Sequence, residues 1–162
     1  MAAKENKRTQ SQAERQILIE RILDAPRELV WKAWTGPAHL AQWWGPTGFT
    51  TTIEQMDVRP GGAFKQVMHG PDGTDYPNTS VFIEVVKPER IVYTHEGGRA
   101  GDTATRFEAR WTFEALGEKT RVTIDMLFST AADRDHVVKD YGAIEGGHQT
   151  LQRLERHAGT LS

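Results

Sequence analysis

Gln66 and His95 have the most scope for chemistry, because each falls among aromatic or sulfur-bearing neighbours in a stretch of alternating hydropathy. In an extended chain, Phe64, Gln66 and Met68 share one face, Tyr93 and His95 a second, and Phe107, Ala109, Trp111 and Phe113 a third. Val122, Ile124, Met126 and Phe128 likewise alternate with Thr123 and Asp125. Such faces build either a solid core or the lining of a cavity, and residue type alone does not divide the two. In a cavity, Gln66 and His95 would orient the guest. Catalysis asks for more: a carboxylate beside the histidine, for which Asp125 qualifies only if the strand register brings the two together.

Other chemistries find less support. Ser80 and Ser129 lack the Gly-x-Ser-x-Gly context of an activated nucleophile, and the chain has no cysteine. Asp133, Asp135 and His136 cluster near a helix start, where carboxylates ordinarily complement the dipole. Neither His-Glu-x-x-His nor His-x-His occurs, so no metal is expected, and no cofactor is called for. Gly61-Gly62 and Gly97-Gly98 lie between strands rather than ahead of a helix, the wrong setting for a phosphate cradle. Among the tryptophans, Trp31, Trp34 and Trp43 read as core. Trp44, beside Gly45-Pro46 at a helix end, reads equally as packing or as a residue at a cavity mouth. His148, on a helical stripe, is either a satisfied core histidine or a cleft residue.

The elements that must position these groups follow from periodicity and punctuation. A β-branched segment over 17–23 predicts a first strand, ended by Asp24-Ala25-Pro26. Pro26 suits a helix's first turn and Asp24 can accept its orphan donors. Leu29, Val30, Ala33 and Trp34 predict a helix over 26–35; Thr35-Gly36-Pro37 stops it and starts a second, which Gly45-Pro46 ends. Strands follow over 50–58, 63–69, 76–86, 91–96, 105–114 and 120–128, joined by short turns such as Gly70-Pro71-Asp72-Gly73, which implies an antiparallel meander. Val137, Tyr141, Ile144, His148, Leu151, Leu154 and Ala158 recur at helical steps and predict one long closing helix. The fold class is α+β, a curved antiparallel sheet around that helix, with a cleft between them unless large side chains fill it.

Composition sets the outer bounds. The chain has 162 residues, a mean hydropathy of −0.57 and a net charge of −2, so nothing electrostatic argues for nucleic acid or an anionic membrane as partner. Residues 1–15 form a polar arm without the apolar run of a secretory signal, and residues 16–160 read as a single domain. No stretch is apolar enough to span a membrane. The lack of cysteine fits a reducing, cytoplasmic location.

Several segments resemble a known family. Arg21-Ile22-Leu23-Asp24-Ala25-Pro26-Arg27-Glu28-Leu29-Val30-Trp31 and Ala33-Trp34-Thr35 resemble the opening of the START-like, or SRPBCC (birch-pollen-allergen-like), superfamily. Trp43-Trp44-Gly45-Pro46, Asp57-Val58-Arg59-Pro60-Gly61-Gly62, Pro71-Asp72-Gly73, the run from Val85 to Tyr93 and Leu151-Gln152-Arg153-Leu154 narrow it further. They are similar to the branch named for the C-terminal domain of the activator of heat-shock protein 90 ATPase homologue, over about residues 15–158. The resemblance implies a helix-grip fold with a hydrophobic cavity. It implies binding of a small apolar or ring-containing molecule, with Trp44, Phe64, Gln66, Met68, Tyr93, His95, Phe107, Trp111, Met126, Gly147 and His148 as the residues expected to contact it. Relatives in the wider superfamily are cyclases, dehydratases and hydrolases, which keeps an enzyme as the alternative. A chaperone-ATPase-regulating interaction module is a further alternative. Against chaperone binding, the eukaryotic co-chaperone engages its chaperone through a separate N-terminal domain, and the about 15 polar residues ahead of the first strand here are too few for a folded domain. A homodimer stays open. Many relatives have a Gly-Trp pair ahead of the paired leucines where this chain has Gly146-Gly147. The glycine pair leaves three readings: close approach to the sheet, room for a ligand, or a helix that starts late or kinks.

Overall fold

The computed structural model of the chain describes residues 12–99, 101–102 and 104–161; the polar arm expected over 1–15 lies, for residues 1–11, outside them. Arg15, at its end, is tied to the sheet: its guanidinium donates to the Phe128 carbonyl at 3.0 Å and its own carbonyl accepts from the Phe128 N–H. Strand β1 (Gln16–Leu23) turns Ile17, Ile19 and Leu23 inward and leaves Leu18 and Ile22 outside.

Helix α1 (Arg27–Thr35) follows and buries Val30, Trp31, Ala33 and Trp34. Pro26 precedes the first turn as its N-cap, where its carbonyl accepts from the N–H groups of Leu29 and Val30. Asp24 does not cap α1; its backbone N–H donates to Glu155 Oε2 at 2.7 Å, and Arg21 donates to Oε1 of the same carboxylate. Burial alone would raise the Glu155 carboxyl, but the Asp24 N–H and Arg21 together outweigh it and hold the group below its ordinary value. After Gly36, Pro37 opens α2 (Pro37–Trp43) at the position where its missing N–H costs nothing.

Strands β2 (Thr50–Met56), β3 (Ala63–His69), β4 (Asp75–Val86), β5 (Arg90–Gly97), β6 (Thr105–Leu116) and β7 (Lys119–Phe128) form one antiparallel sheet with β1, in the order β1-β7-β6-β5-β4-β3-β2. The expected meander accounts for β2 to β7, and β1 returns to pair with β7. Register shifts between Ile53 and Gln55 and between Phe82 and Glu84 mark bulges, which bend a strand and tighten its twist. The inner face of the resulting curve receives α1, α2 and the closing helices.

The stripe from Val137 to Ala158 is two helices rather than one: α3 (Ala131–Tyr141) and α4 (Ala143–Ala158). Gly142 between them sits in the left-handed region (φ 59°, ψ 41°), which a glycine adopts without steric cost and which ends one helix before the next begins. The 16-residue α4 is the long helix that the sheet wraps, docked through Leu151, Leu154 and Ala158 against β1, α1 and α2. Ile144, counted with the stripe, faces solvent at 38% exposure. Helix α3 buries only Val137. Thr130 caps it by accepting the Asp133 N–H, and His136 pairs with Asp140, so the Asp133–His136 cluster is committed locally; the described residues contain no group that could hold a metal.

Trp34 is the centre of the core. Its ring lies 5.6 to 6.1 Å from those of Trp44, Phe64, Phe82, Tyr93 and Trp111. Trp43 donates its indole N–H to the Ala33 carbonyl at 2.9 Å, which locks α2 to α1.

A candidate ligand-binding cavity

The core does not fill the curve of the sheet. A cavity of about 280 Å³ remains between β3–β7, the loop after α2, and the facing sides of α3 and α4. Trp44 and Trp111 close one end as a near-parallel pair, centroids 5.7 Å apart and planes 25° from each other. Met68, Ile124, Met126 and Val137 add aliphatic and thioether wall.

The polar groups in this wall belong to two sets. At the tryptophan end, Trp111 Nε1 donates to the Tyr93 hydroxyl at 3.2 Å. Burial raises the Tyr93 phenol above its ordinary value, so it stays protonated and able to donate. Nearer the opposite end, Asn78 donates through Nδ2 to the Tyr76 carbonyl at 2.8 Å and to Gln66 Oε1 at 3.2 Å. Gly97 stands opposite Asn78 in the sheet, and a Cβ there would overlap the Asn78 side chain. His95 lies between the two sets, its ring stacked on Phe107 at 4.5 Å and its Nδ1 3.3 Å from Ser80 Oγ. Enclosure pushes His95 down to about 4, so the imidazole is neutral at neutral pH.

Tyr141 marks the rim. Its hydroxyl accepts the Arg99 N–H at 3.1 Å and donates to Asp102 at 3.4 Å, and its ring meets Tyr76 edge-on. On the other side, the Arg153 guanidinium of α4 donates to the carbonyls of Gln42, Gly45 and Pro46 at 2.8 to 3.2 Å. Those bonds hold the turn that carries Trp44, so Arg153 positions the wall without being part of it.

Of the residues expected to contact a guest, Trp44, Gln66, Met68, Tyr93, His95, Phe107, Trp111, Met126 and Gly147 line the cavity. Phe64 does not: it stacks on Phe82 at 5.8 Å, behind Trp44. His148 is half-buried on a side of α4 that misses the space, because Gly146, Gly147 and Thr150 face it instead. Trp44 is 9% exposed and belongs to the inner wall rather than an open mouth. Asp125 cannot serve His95: it points to the outer face, where it accepts from Gln16 Nε2 at 2.8 Å. Asn78, Tyr76 and Tyr141 were missed. The alternation of Tyr76, Asn78, Ser80 and Phe82 along β4 carried the signal for the first two.

A family model described as activator of Hsp90 ATPase homolog 1-like protein matches residues 24–159. The chain belongs to this family. Its helix-grip, START-like fold recurs in solved structures. A protein of Chromobacterium violaceum is 27% identical, with a TM-score of 0.75 over 88% of this chain and 95% of that one. A protein of Nitrosomonas europaea is also 27% identical, with a TM-score of 0.76 over 91% and 96%. One from Arthrobacter aurescens, 23% identical, shares the fold at a TM-score of 0.82 over 93% and 89%. Comparison with curated protein sequences found no match.

Within this activator-like family member, Gly146-Gly147 has a structural reason. Helix α4 runs through the pair without starting late, and the break lies earlier, at Gly142. A Cβ on Gly147 would collide with Ile19 Cδ1 of β1, while one on Gly146 would press on Pro46 at 3.3 Å. Close approach of helix to strand therefore accounts for Gly147. Gly147→Ala is expected to lower stability by about 1 kcal/mol, because overpacking outweighs the helix-propensity gain. In an Ile19→Val background, which lacks the offending methyl, the same change is expected to be neutral or stabilising by up to about 1 kcal/mol. Urea unfolding of the four proteins measures the coupling; equal effects in both backgrounds would exclude this contact as the cause.

Proposed function

We propose that the protein binds a small, largely apolar, ring-containing molecule in the cavity between the sheet and α4, without transforming it. The observation that carries this reading is the wall itself: aromatic and thioether surface with a few polar groups, all but Asp140 neutral, around a volume close to the lower end of ordinary ligand sites. Against turnover, His95 has no carboxylate partner among the described residues, and Asp140, the one carboxylate among the described lining residues, is paired with His136. A cytoplasmic setting goes with this reading, since a chain without cysteine draws nothing from an oxidising compartment. No described helix is long and apolar enough to cross a membrane.

The test uses N-phenyl-1-naphthylamine, a neutral dye that brightens in apolar surroundings. Saturable binding at one site is expected, together with stabilisation against urea of about 2.7 kcal/mol at a hundredfold excess over Kd. A linear, non-saturating signal with no stabilisation would reject the reading. Native mass spectrometry of freshly purified protein would then identify a natural occupant.

A further inference from the structure

We propose that the guest is an uncharged, flat aromatic compound of about two rings, with one acceptor oxygen for the Tyr93 hydroxyl and a second, nearer the rim, for the Gln66 amide. This rests on the reading of the cavity as a binding site and adds the chemistry of its occupant.

Size comes first. A dry cavity of roughly 150 Å³ takes one benzene, so about 280 Å³ has room for two fused rings. Flatness follows from the walls, where the Trp44–Trp111 and His95–Phe107 pairs offer ring faces and edges.

Charge is settled by what the wall lacks. No lysine or arginine lines the cavity among the described residues, and His95 is neutral. An anion would lose its water with no cation to replace it. Aromatic walls do accept cations, and Asp140, the one carboxylate among the described lining residues, is already paired with His136, so the unused hydrogen-bonding capacity must decide between a cation and a neutral guest.

That capacity is donor in character. Tyr93 Oη already accepts from Trp111, and its own proton meets no acceptor among the described residues. At the other end, the Tyr76 carbonyl requires the amide nitrogen of Asn78, so Gln66 must turn its oxygen toward Asn78 and its NH₂ away. That NH₂ has no acceptor among the described residues, and the Gln66 side chain is part of the cavity wall. The amide thus opens onto the cavity. Two unused donors repel a cation and call for oxygen acceptors. They stand apart, on β3 and β5 with β4 between, so one oxygen cannot serve both.

Four two-ring probes separate the alternatives by calorimetric or fluorescence titration: 1,4-naphthoquinone, naphthalene, 1-naphthoate and N-methylquinolinium. The quinone is usable because no thiol is present to react with it. It is expected to bind at least tenfold more tightly than naphthalene, with both ions weaker than either. Tyr93→Phe and Gln66→Leu should each weaken the quinone about tenfold and leave naphthalene unchanged, naphthalene binding showing that the cavity is intact. If one variant fails to fold, the other and the ranking of the four probes still decide. Equal affinity for quinone and naphthalene, a charged probe binding best, or variants that do not discriminate would overturn the proposal while leaving a binding cavity. No binding by any of the four would overturn the cavity reading with it.

Discussion

Trp34→Ala is expected to remove about 3–5 kcal/mol of unfolding free energy, the range for deleting a fully buried tryptophan, and to leave a protein close to unfolding at 37 °C. The side chain is 0% exposed and touches five other aromatic rings contributed by β3, β4, β5, β6 and the end of α2. Its indole N–H has no hydrogen-bond partner among the described residues, so the loss comes from packing and no described polar group is orphaned by the change. Trp44→Ala is expected to cost less stability but more dye affinity, since one side of that ring faces the cavity and can relax into it. Urea denaturation with parallel titration of both variants makes the comparison. A Trp34→Ala protein less than about 1.5 kcal/mol below the parent would mean that the aromatic cluster repacks around the gap.

Acidification should destabilise the protein well before its carboxylates titrate. His95 has a folded value of about 4 against an ordinary 6.5, because enclosure penalises the imidazolium. Between those values the unfolded chain binds the proton and the folded one does not, so stability is complete above pH 6.5 and falls as pH drops toward 4. From pH 7 to pH 5 this one group accounts for about 2 kcal/mol. Burial, with the His39 charge 3.1 Å away, lowers His157 too and acts with the same sign, so the informative quantity is a difference between proteins. His95→Gln is expected to flatten the pH dependence by about 2 kcal/mol over that interval. Parallel curves for parent and variant would show that His95 protonates freely in the folded state.

Much of this architecture could be read along the chain. Alternation located β3 through β7 and the inward parity of Gln66, Tyr93, His95 and Trp111, since one face of each strand is buried and the side-chain period is two. What escaped depends on neighbours distant in sequence. The outward placement of Asp125 follows from its parity, but its partner Gln16 lies on β1, and only the β1–β7 pairing reveals it. Phe64 and Met68 share a face, yet one is covered by Trp44 and the other borders open space, a distinction made by the turn that Arg153 holds. The helix break at Gly142 was hidden because a lone glycine within an unbroken apolar stripe costs only about 1 kcal/mol in a helix.

The pairing of β1 with β7 also has a consequence for synthesis. Arg15 and Phe128, joined by hydrogen bonds, are 113 residues apart. At roughly 5–20 residues per second, a nascent chain exposes the apolar face of β1 for about 6–23 seconds before its partner strand emerges. Ile17, Ile19 and Leu23 have nothing to lie against in that interval, because α4, their other cover, is translated later still. The closing contacts of the sheet are therefore among its last to form, and the N-terminal strand is where holdase chaperones or a neighbouring nascent chain would engage first.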